Sequence, residues 1–362
     1  MFKRILAISA ALMLLFAGLA SAEFAPVAKE DLKVGFIFIG DITDGGYNTA
    51  HYNGLIKACE KLGINEDQIL IKTNVPEDGT FESAARELLE AGVQVLFGNS
   101  FGYQNYMEEL ADEFPEKIFI HCSGIKSNDT NFNNYYATLY EGRYLCGIAA
   151  GLKTKTNKLG FVGAQDNAEV NGGINAFYLG AKSVNPDVQL FVKYTNSWYD
   201  PTLESQTANA LIDAGCDVIA QHCDTSNPQI AAQERGVFGC GTGSDMTPSA
   251  PDAHLTAMVF KWENAIEPYL QSVIDGTYKP ENKLYGLADG TVDISPLSKN
   301  VADGTQEAID KARAAIVSGE LDIFAGPLND NKGNVLVKES ESLTREQVAF
   351  ENVKLLEGIT VE

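Results

Sequence analysis

The chain has 362 residues, of which 45% are hydrophobic and 21% charged, an ordinary globular composition whose length favours about two domains. Its 49 acidic and 27 basic side chains give a net charge of −22, which disfavours binding to nucleic acid and to an anionic membrane surface. The moderate content of 33 Gly and 12 Pro excludes collagen-like repeats and extensive disorder.

The chain begins with a segment typical of a secretory signal peptide. Two basic residues precede an apolar run from Ile5 to Leu19, and Ala20-Ser21-Ala22 is a small-residue cleavage sequence. We therefore predict that residues 1–22 are removed as a signal peptide, whereas the alternative, a membrane anchor, is disfavoured because the run is short for a spanning helix. Removal of Lys3 and Arg4 changes the net charge from −22 to −24. We expect a protein exported to a bacterial periplasm without direct membrane anchoring.

The rest of the chain repeats itself at intervals of about 120 residues. Val34-Gly35-Phe36 resembles Leu159-Gly160-Phe161, and the stretch 88–96 resembles 211–219. Each unit alternates short apolar runs with amphipathic stretches, the pattern of buried parallel strands joined by helices. The predicted strands are 33–39, 69–72, 93–97 and 117–121 in the first unit and 158–163, 188–193, 217–221 and 236–240 in the second. The predicted helices include 47–62, 80–91, 103–113 and 202–214.

The last third of the chain does not form a third unit. It contains a predicted strand from His254 to Phe260, a helix from Trp262 to Asp275, another strand before residue 290, a helix at 304–319 and a strand at 321–326. Such pieces are typical of a chain that crosses back between two lobes. The predicted fold is therefore α/β, with two lobes that each contain a doubly wound parallel sheet and a hinge of several crossovers. The predicted lobes are 31–140 plus about 258–290, and 141–255 plus about 293–345.

Six cysteines follow the signal peptide, and an even number in an exported protein permits disulfides. Cys216 and Cys223 bracket one predicted strand and are too far apart to pair. We expect most of the six to be buried free thiols, with a Cys223–Cys240 disulfide as the alternative left open.

Ligands of open parallel sheets bind outside the carboxyl ends of the strands. Those ends carry aromatic rings, carboxylates and amides here, but few Lys or Arg residues. This composition favours a flat ligand stacked between rings and held by carboxylates, and disfavours a phosphorylated ligand. The candidate ligand-binding residues are Tyr47, Asn48, His51, Tyr52, Phe101, Tyr103, Glu141, Trp198, Asp224, Asp245 and Trp262.

Several of these residues can also be explained by a purely structural role, without ligand binding. His51 can be a satisfied helix residue, Trp262 can pack in the hinge, and Trp198 can be a plain core or loop ring. Asp200, which precedes a proline at a helix start, is predicted to cap that helix rather than to contact ligand.

Catalysis finds little support in the sequence. The motifs CxxC, HExxH and GxSxG are absent, and the neighbouring residues of His121-Cys122 and of His222-Cys223 point to opposite faces of a strand. We expect no enzyme activity, no metal and no cofactor.

Several short motifs together resemble the basic membrane protein family of substrate-binding proteins, the receptors of ABC importers that include purine nucleoside receptors. The resemblance covers about residues 31 to 330 and is nearest to the branch associated with purine bases such as adenine. The motifs are Asp44-Gly-Gly-Tyr47-Asn48, Tyr140–Gly147, Phe161-Val-Gly163, Gly173–Phe177, Ser197–Pro201, Gln221–Asp224, Ser244–Met246 and Ala250–Thr256.

The resemblance implies a type I periplasmic binding fold that holds a purine base or purine nucleoside between aromatic rings of the two lobes, without catalysis. It further implies a monomer that delivers this ligand to an ABC permease in the inner membrane. Trp198 matches the ring of the second lobe, Tyr47 or Tyr52 that of the first, and Asp245 the carboxylate that meets the polar part of the ligand. Glu141 is expected beside the cleft.

The chain also departs from the nucleoside receptors of this family. Thr49 and Tyr52 stand where those receptors typically carry Asp and Phe, which favours a free base over a nucleoside. The lipidation cysteine common in the family is missing. The remaining alternatives are the same fold with a flavin, sugar or amide ligand, a receptor that signals to a membrane sensor, and a periplasmic enzyme acting on nucleosides.

Overall fold

The computed structural model describes residues 24–351 and 353–362, so the predicted signal peptide lies outside the described residues. The strands are β1 (Val34–Ile37), β2 (Ile69–Lys72), β3 (Val95–Gly98), β4 (Ile118–Cys122), β5 (Phe132–Ala137), β6 (Lys158–Gly163), β7 (Gln189–Tyr194), β8 (Val218–His222), β9 (Phe238–Gly243), β10 (His254–Phe260), β11 (Lys283–Tyr285), β12 (Val292–Ile294), β13 (Leu328–Asn329), β14 (Val335–Val337) and β15 (Ile359–Val361). The α-helices are α1 (Tyr47–Leu62), α2 (Thr80–Glu90), α3 (Gln104–Glu113), α4 (Tyr140–Lys153), α5 (Ala168–Val184), α6 (Pro201–Asp213), α7 (Asn227–Glu234), α8 (Glu263–Ile274), α9 (Thr305–Ser318) and α10 (Arg345–Phe350).

The strands form two large sheets with the same internal order. The first sheet runs β11-β5-β4-β3-β1-β2, and the second runs β12-β10-β9-β8-β6-β7-β15. The order β2-β1-β3-β4-β5 therefore recurs as β7-β6-β8-β9-β10, with parallel pairing throughout both sets. This repetition confirms the duplicated α/β unit read from the sequence. We call the first sheet with its helices the first lobe, and the second sheet with its helices the second lobe.

Two local sequence features explain the alternation of strands and helices: the strands are short and apolar, and glycine residues follow the ends of helices. All four residues of β1 are buried, as expected for a parallel strand covered by helices on both faces. Gly92 and Gly215 end the segments before β3 and β8 with φ of 93° and 96°, a left-handed conformation that glycine adopts without steric cost. The two glycines occupy equivalent positions in the sequence repeat, in which 88–96 corresponds to 211–219.

Within the described part of the chain, three connections cross between the lobes. They join β5 to α4, β10 to α8 and β11 to β12. The first and third crossings are tied together, because the Thr138 backbone N–H donates to the Tyr285 carbonyl at 2.8 Å and the Leu287 N–H donates to the Glu141 carboxylate at 2.7 Å. The hinge of several crossovers is thus present.

The structure differs from the sequence predictions in several elements. The predicted strand at 321–326 is wrong: the Asp322 carboxylate accepts a hydrogen bond from the Phe324 N–H at 3.1 Å, and the segment turns instead of extending along a sheet. Strand β5 was not predicted, because its sequence Phe-Asn-Asn-Tyr-Tyr-Ala lacks a continuous apolar run. Beyond the predicted elements, β15 pairs with β7 at one edge of the second sheet and β12 pairs with β10 at the other, while β13 and β14 form a separate two-stranded sheet and α10 precedes β15.

All six cysteines are buried free thiols, in agreement with the first of the two predictions, and no bond joins Cys223 to Cys240. Among the described residues, no helix has the length and apolar character needed to cross a bilayer.

Candidate functional site

The two lobes touch at a glycine turn. The Ser244 hydroxyl of the second lobe donates a hydrogen bond to the Gly45 carbonyl of the first lobe. Gly46 lies so close to the second lobe that a Cβ at this position would be 2.3 Å from the Asp224 carbonyl oxygen. The structure therefore represents a closed arrangement, in which the carboxyl ends of β1 and β3 face those of β6 and β8.

Asp44 holds the glycine turn and the start of α1 in place. Its carboxylate accepts hydrogen bonds from the backbone N–H groups of Gly46, Asn48 and Thr49 at 2.9, 3.0 and 3.0 Å. The buried Asn48 side chain in turn accepts a bond from the Asn99 amide at 3.0 Å. These contacts satisfy the orphan donors at the helix start, so Asp44 and Asn48 organise the wall of the site.

Tyr47 is the aromatic residue of the first lobe at this edge. Its hydroxyl donates to the Asn99 carbonyl at 2.6 Å and lies 3.8 Å from the Cys122 sulfur. Its ring meets the His51 ring edge-on at 4.5 Å. Burial raises the pKa of Tyr47 well above its ordinary value, so the group is a neutral phenol at physiological pH.

Trp198 and Asp224 lie together on the second lobe. The Asp224 backbone N–H donates to the Trp198 carbonyl at 2.9 Å. The Trp198 side chain remains 39% exposed, and its ring centroid lies 6.0 Å from that of His222. Burial between the lobes raises the pKa of Asp224 well above its ordinary value, and the nearby charges of Asp44, Glu204 and Glu169 add to this effect.

Glu169 is a member of this site that the sequence reading missed. It lies in the first turn of α5, with one carboxylate oxygen 3.6 Å from Nε2 of His222. Burial opposes its ionisation, but His222 and Tyr136 outweigh burial and keep the pKa of Glu169 below its ordinary value. The sequence repeat contained a signal for this residue: Gly160 follows Gly35 by 125 positions, and the same offset from Asp44 leads to Glu169.

His51 and Trp262 lie in a ring stack behind the site. The Trp262 ring is stacked on His51 at 4.4 Å and on Phe260 at 4.6 Å, and Trp262 is only 1% exposed. Burial lowers the pKa of His51 to about 3, so its imidazole is neutral. The contacts of both residues are those of packing between α1 and α8.

The three further aromatic candidates of the first lobe have other environments. Tyr103 is fully buried, and its hydroxyl donates to the Val75 carbonyl. Tyr52 is half-buried, with its ring centroid 6.4 Å from that of Phe38, whereas Phe101 is 55% exposed.

Asp200 accepts a hydrogen bond from the Leu203 N–H at 2.9 Å, which confirms its predicted role as a helix cap.

Glu141 and Asp245, two further predicted site residues, have different environments. Glu141 is buried at the hinge, where it accepts from the Leu287 N–H and lies 3.7 Å from Arg345. Asp245 is exposed, and its carboxylate accepts from the Thr247 N–H and hydroxyl at 2.9 and 2.6 Å.

A cavity of about 550 Å³ adjoins the glycine turn and contains Asp245. It is lined by α1, by the loop after β9, by β10 and β12 and by α9. Two basic side chains that line the cavity, Lys261 and Arg313, both pair with the Asp293 carboxylate, at 2.5 and 2.6 Å. The positive charges of these two side chains are therefore neutralised by a carboxylate in the same wall. The other lining residues are Ala50, Asn53, Lys57, Gly243, Ser244, Val259, Phe260, Glu263, Ile294, Ser295, Pro296, Leu297 and Gln306.

The structure thus brings Tyr47, Trp198 and Asp224 of the predicted set to the facing strand ends, and adds Glu169 and His222. Both lobes supply polar and aromatic groups there, as expected at the switch points of doubly wound sheets.

Within residues 24–351 and 353–362, His, Cys, Asp and Glu side chains form no group of three or more that could hold a metal ion.

Comparison with known proteins gives a consistent result. Residues 31–325 match the family model described as ABC transporter substrate-binding protein PnrA-like. A purine-binding protein of Brucella abortus is 38% identical over 314 residues, which cover 87% of this chain and 89% of that protein. A putative ABC transporter glucose-binding protein of Haloferax volcanii is 32% identical over 301 residues, 83% of this chain and 76% of that protein.

Among solved structures, an ABC transporter solute-binding protein of Aeropyrum pernix superposes with a TM-score of 0.70 at 20% identity. The match covers 82% of this chain and 94% of that one. At this identity the likeness establishes the fold, which is that of type I-like periplasmic solute-binding proteins.

Proposed function

Because the chain belongs to the family of PnrA-like ABC transporter substrate-binding proteins, we propose that it binds a purine base between its lobes and delivers it to an ABC permease in the inner membrane. Adenine is the expected ligand, and a purine nucleoside is the nearest variant. The protein acts from the periplasm as a monomeric receptor, not as an enzyme.

The observation that carries the proposal is the convergence of aromatic and acceptor groups at the facing strand ends. The exposed ring of Trp198 supplies a flat apolar surface on the second lobe, and Tyr47 supplies a ring on the first. Glu169 adds an acceptor on the second lobe, with one carboxylate oxygen 3.6 Å from Nε2 of His222. A heterocycle with N–H groups suits such a site, and the purine-binding relative supports this choice.

In this proposal the ligand stabilises the closed arrangement. It contacts both lobes only when they are together, so binding shifts the population from open to closed. The closed pair of lobes is then the form that docks on the permease.

Calorimetric titration of refolded, ligand-stripped protein with adenine, hypoxanthine, adenosine and inosine tests the ligand. We expect tightest binding for a free base. Trp198→Ala should weaken adenine binding by about tenfold or more, because stacking of a base on an aromatic ring contributes about 1–3 kcal/mol.

The matched control is Tyr199→Ala, which removes the adjacent, 59% exposed aromatic ring. Its adenine affinity should stay within about threefold of wild type. Failure of all four purine compounds to bind would refute the purine proposal, and an unchanged Trp198→Ala affinity would refute the stacking role.

A sugar receptor is the second candidate, favoured by the relative described as glucose-binding. Glucose therefore belongs in the same titration series. Mass spectrometry of small molecules that remain bound through native purification provides an independent answer, since a purine and a hexose differ in mass.

A further inference from the structure

Glu169 and His222 occupy the switch point of the second lobe. Glu169 follows β6 and His222 ends β8, and these two strands are neighbours in the sheet. The carboxylate and the imidazole are 3.6 Å apart. In sheets of this order the crevice between the ends of these two strands is the usual place of a ligand.

An acidic residue in the first turn of a helix commonly stabilises the helix by interacting with its free backbone N–H groups. In α5 the helix start is capped by Asn167, whose side chain accepts a hydrogen bond from the Val170 N–H at 3.0 Å. Glu169 instead has His222 and Tyr136 as its neighbours, and its charge also reaches Tyr47 of the first lobe. Its carboxylate therefore lies at the carboxyl end of β8, beside His222.

His222 leaves a hydrogen-bonding atom without a partner. Its Nε2 faces Glu169, while its buried Nδ1 has no hydrogen-bond partner among the described residues. By contrast, both ring nitrogens of His121, in the first lobe, are used: Nδ1 bonds to Asn134 at 3.0 Å and Nε2 to the Ser100 carbonyl at 2.6 Å. With Nε2 turned toward the Glu169 carboxylate, a neutral His222 that carries its proton on Nε2 presents Nδ1 as an acceptor.

We propose that Glu169 and His222 determine specificity by accepting hydrogen bonds from the amino edge of the bound base, so that the site prefers a purine with an exocyclic amino group to one without it. This inference rests on the proposed function, because it assigns a chemical preference to the same site. The pair offers acceptor atoms, and an amino-purine supplies a donor that the buried Nδ1 of His222 otherwise lacks.

The test measures adenine and unsubstituted purine, which differ only in the amino group, by calorimetry on ligand-stripped protein. Wild type should prefer adenine by about tenfold or more, the range for a hydrogen bond to a charged acceptor. Glu169→Met keeps the side-chain length but removes both oxygens, and should reduce this preference to within about threefold. His222→Phe keeps a flat ring beside Trp198 and should also reduce the preference.

The matched control is Glu346→Met, the same change at an exposed position in the first turn of α10, which should leave the preference unchanged. If wild type binds no purine, the proposed function fails and this inference fails with it. If wild type binds adenine but Glu169→Met and His222→Phe keep its preference over purine, only the specificity role is overturned. Circular dichroism checks that each variant is folded, and where Glu169→Met is not, His222→Phe decides.

Discussion

Asp224 is the residue whose chemistry depends most directly on closure. Its backbone meets Gly46 of the opposite lobe, and burial between the lobes is the main reason that its pKa is raised. Asp44 of the first lobe adds a like charge, as do Glu204 and Glu169 of the second. Opening the lobes hydrates Asp224 and separates it from Asp44, so its pKa should return toward the ordinary value of 3.8.

We therefore predict that closure of the ligand-free protein depends on pH. The closed form binds the Asp224 proton more tightly, so this contribution to closure is present at low pH and is lost as the pH rises from the ordinary toward the raised pKa. Small-angle X-ray scattering between about pH 5.5 and about pH 8.5 should show expansion with rising pH. Asp224→Asn, which stays neutral, should be more compact than wild type at the upper pH and less sensitive to pH.

His222 and Glu169 face the same space and are also titratable. The prediction therefore concerns the difference in compactness between wild type and Asp224→Asn at each pH. The control is Asp112→Asn at an exposed position on α3, which should behave as wild type. Identical scattering of wild type and Asp224→Asn at every pH would contradict the prediction.

Among single residues, position at a strand end was enough to predict Tyr47, Trp198 and Asp224 as neighbours of one crevice. Glu169 was missed because an acidic residue in a first helical turn usually indicates only a favourable interaction with the helix dipole. Whether His51 packs or binds could not be read from the sequence, since helix periodicity does not show which element covers a face.

Two helix pairs in the molecule depend on glycine at equivalent places in the repeat. A Cβ on Gly54 of α1 would lie 2.5 Å from the Trp262 Cβ, and one on Gly180 of α5 would lie 2.0 Å from the Tyr144 carbonyl oxygen of α4. Both distances are far below van der Waals contact, so the backbones approach as closely as they do only because no side chain intervenes.

Gly180→Ala should accordingly destabilise the protein. The added methyl group meets backbone of α4 that cannot move aside, and overpacking of this kind costs about 1–3 kcal/mol. Urea unfolding followed by circular dichroism measures the change. Gly79→Ala, where a Cβ meets nothing within 4 Å, is the control and should stay within about 0.5 kcal/mol of wild type. Equal stability of the two variants would contradict the role assigned to Gly180.

At the level of elements, the sequence predicted those whose pattern is local. Apolar runs marked β1 to β4 and β6 to β9, since strands buried on both faces need continuous apolar sequence. Strand β5 is different because Asn133 and Asn134 are buried in it and satisfied by distant partners: Tyr278 donates to the Asn133 side chain at 2.7 Å, and the Asn134 N–H donates to Asn282 at 2.8 Å. Such compensation comes from tertiary contacts and leaves no pattern in the neighbouring sequence.

For the whole molecule, closure brings the glycine turn of the first lobe against the second. Gly46 is in contact with Asp224, and Gly243 is close to Gly46 in return, with its hypothetical Cβ 3.0 Å from the Gly46 carbonyl carbon. The absence of side chains at both positions lets the lobes meet.

Gly46→Ala should hold the lobes apart. Its Cβ would lie 2.3 Å from the Asp224 carbonyl oxygen in the closed arrangement but would meet no such obstacle once the lobes separate. We expect adenine affinity to fall by about tenfold and the radius of gyration with saturating adenine to exceed that of wild type. With Gly79→Ala as the reference substitution, a Gly46→Ala protein that closes and binds like wild type would show that this contact does not limit closure.

The duplicated sheet has a consequence for release of the ligand. In the proposed complex, each lobe carries only part of the contacts, with Tyr47 on one and Trp198, Glu169 and His222 on the other, so the bound molecule is in effect bivalent. While one half is engaged, the other is held at a high effective concentration, and the overall affinity exceeds that of either half. Separation of the lobes abolishes this advantage without altering a single side chain. A membrane partner that simply keeps the hinge open can therefore turn a tight receptor into a weak one.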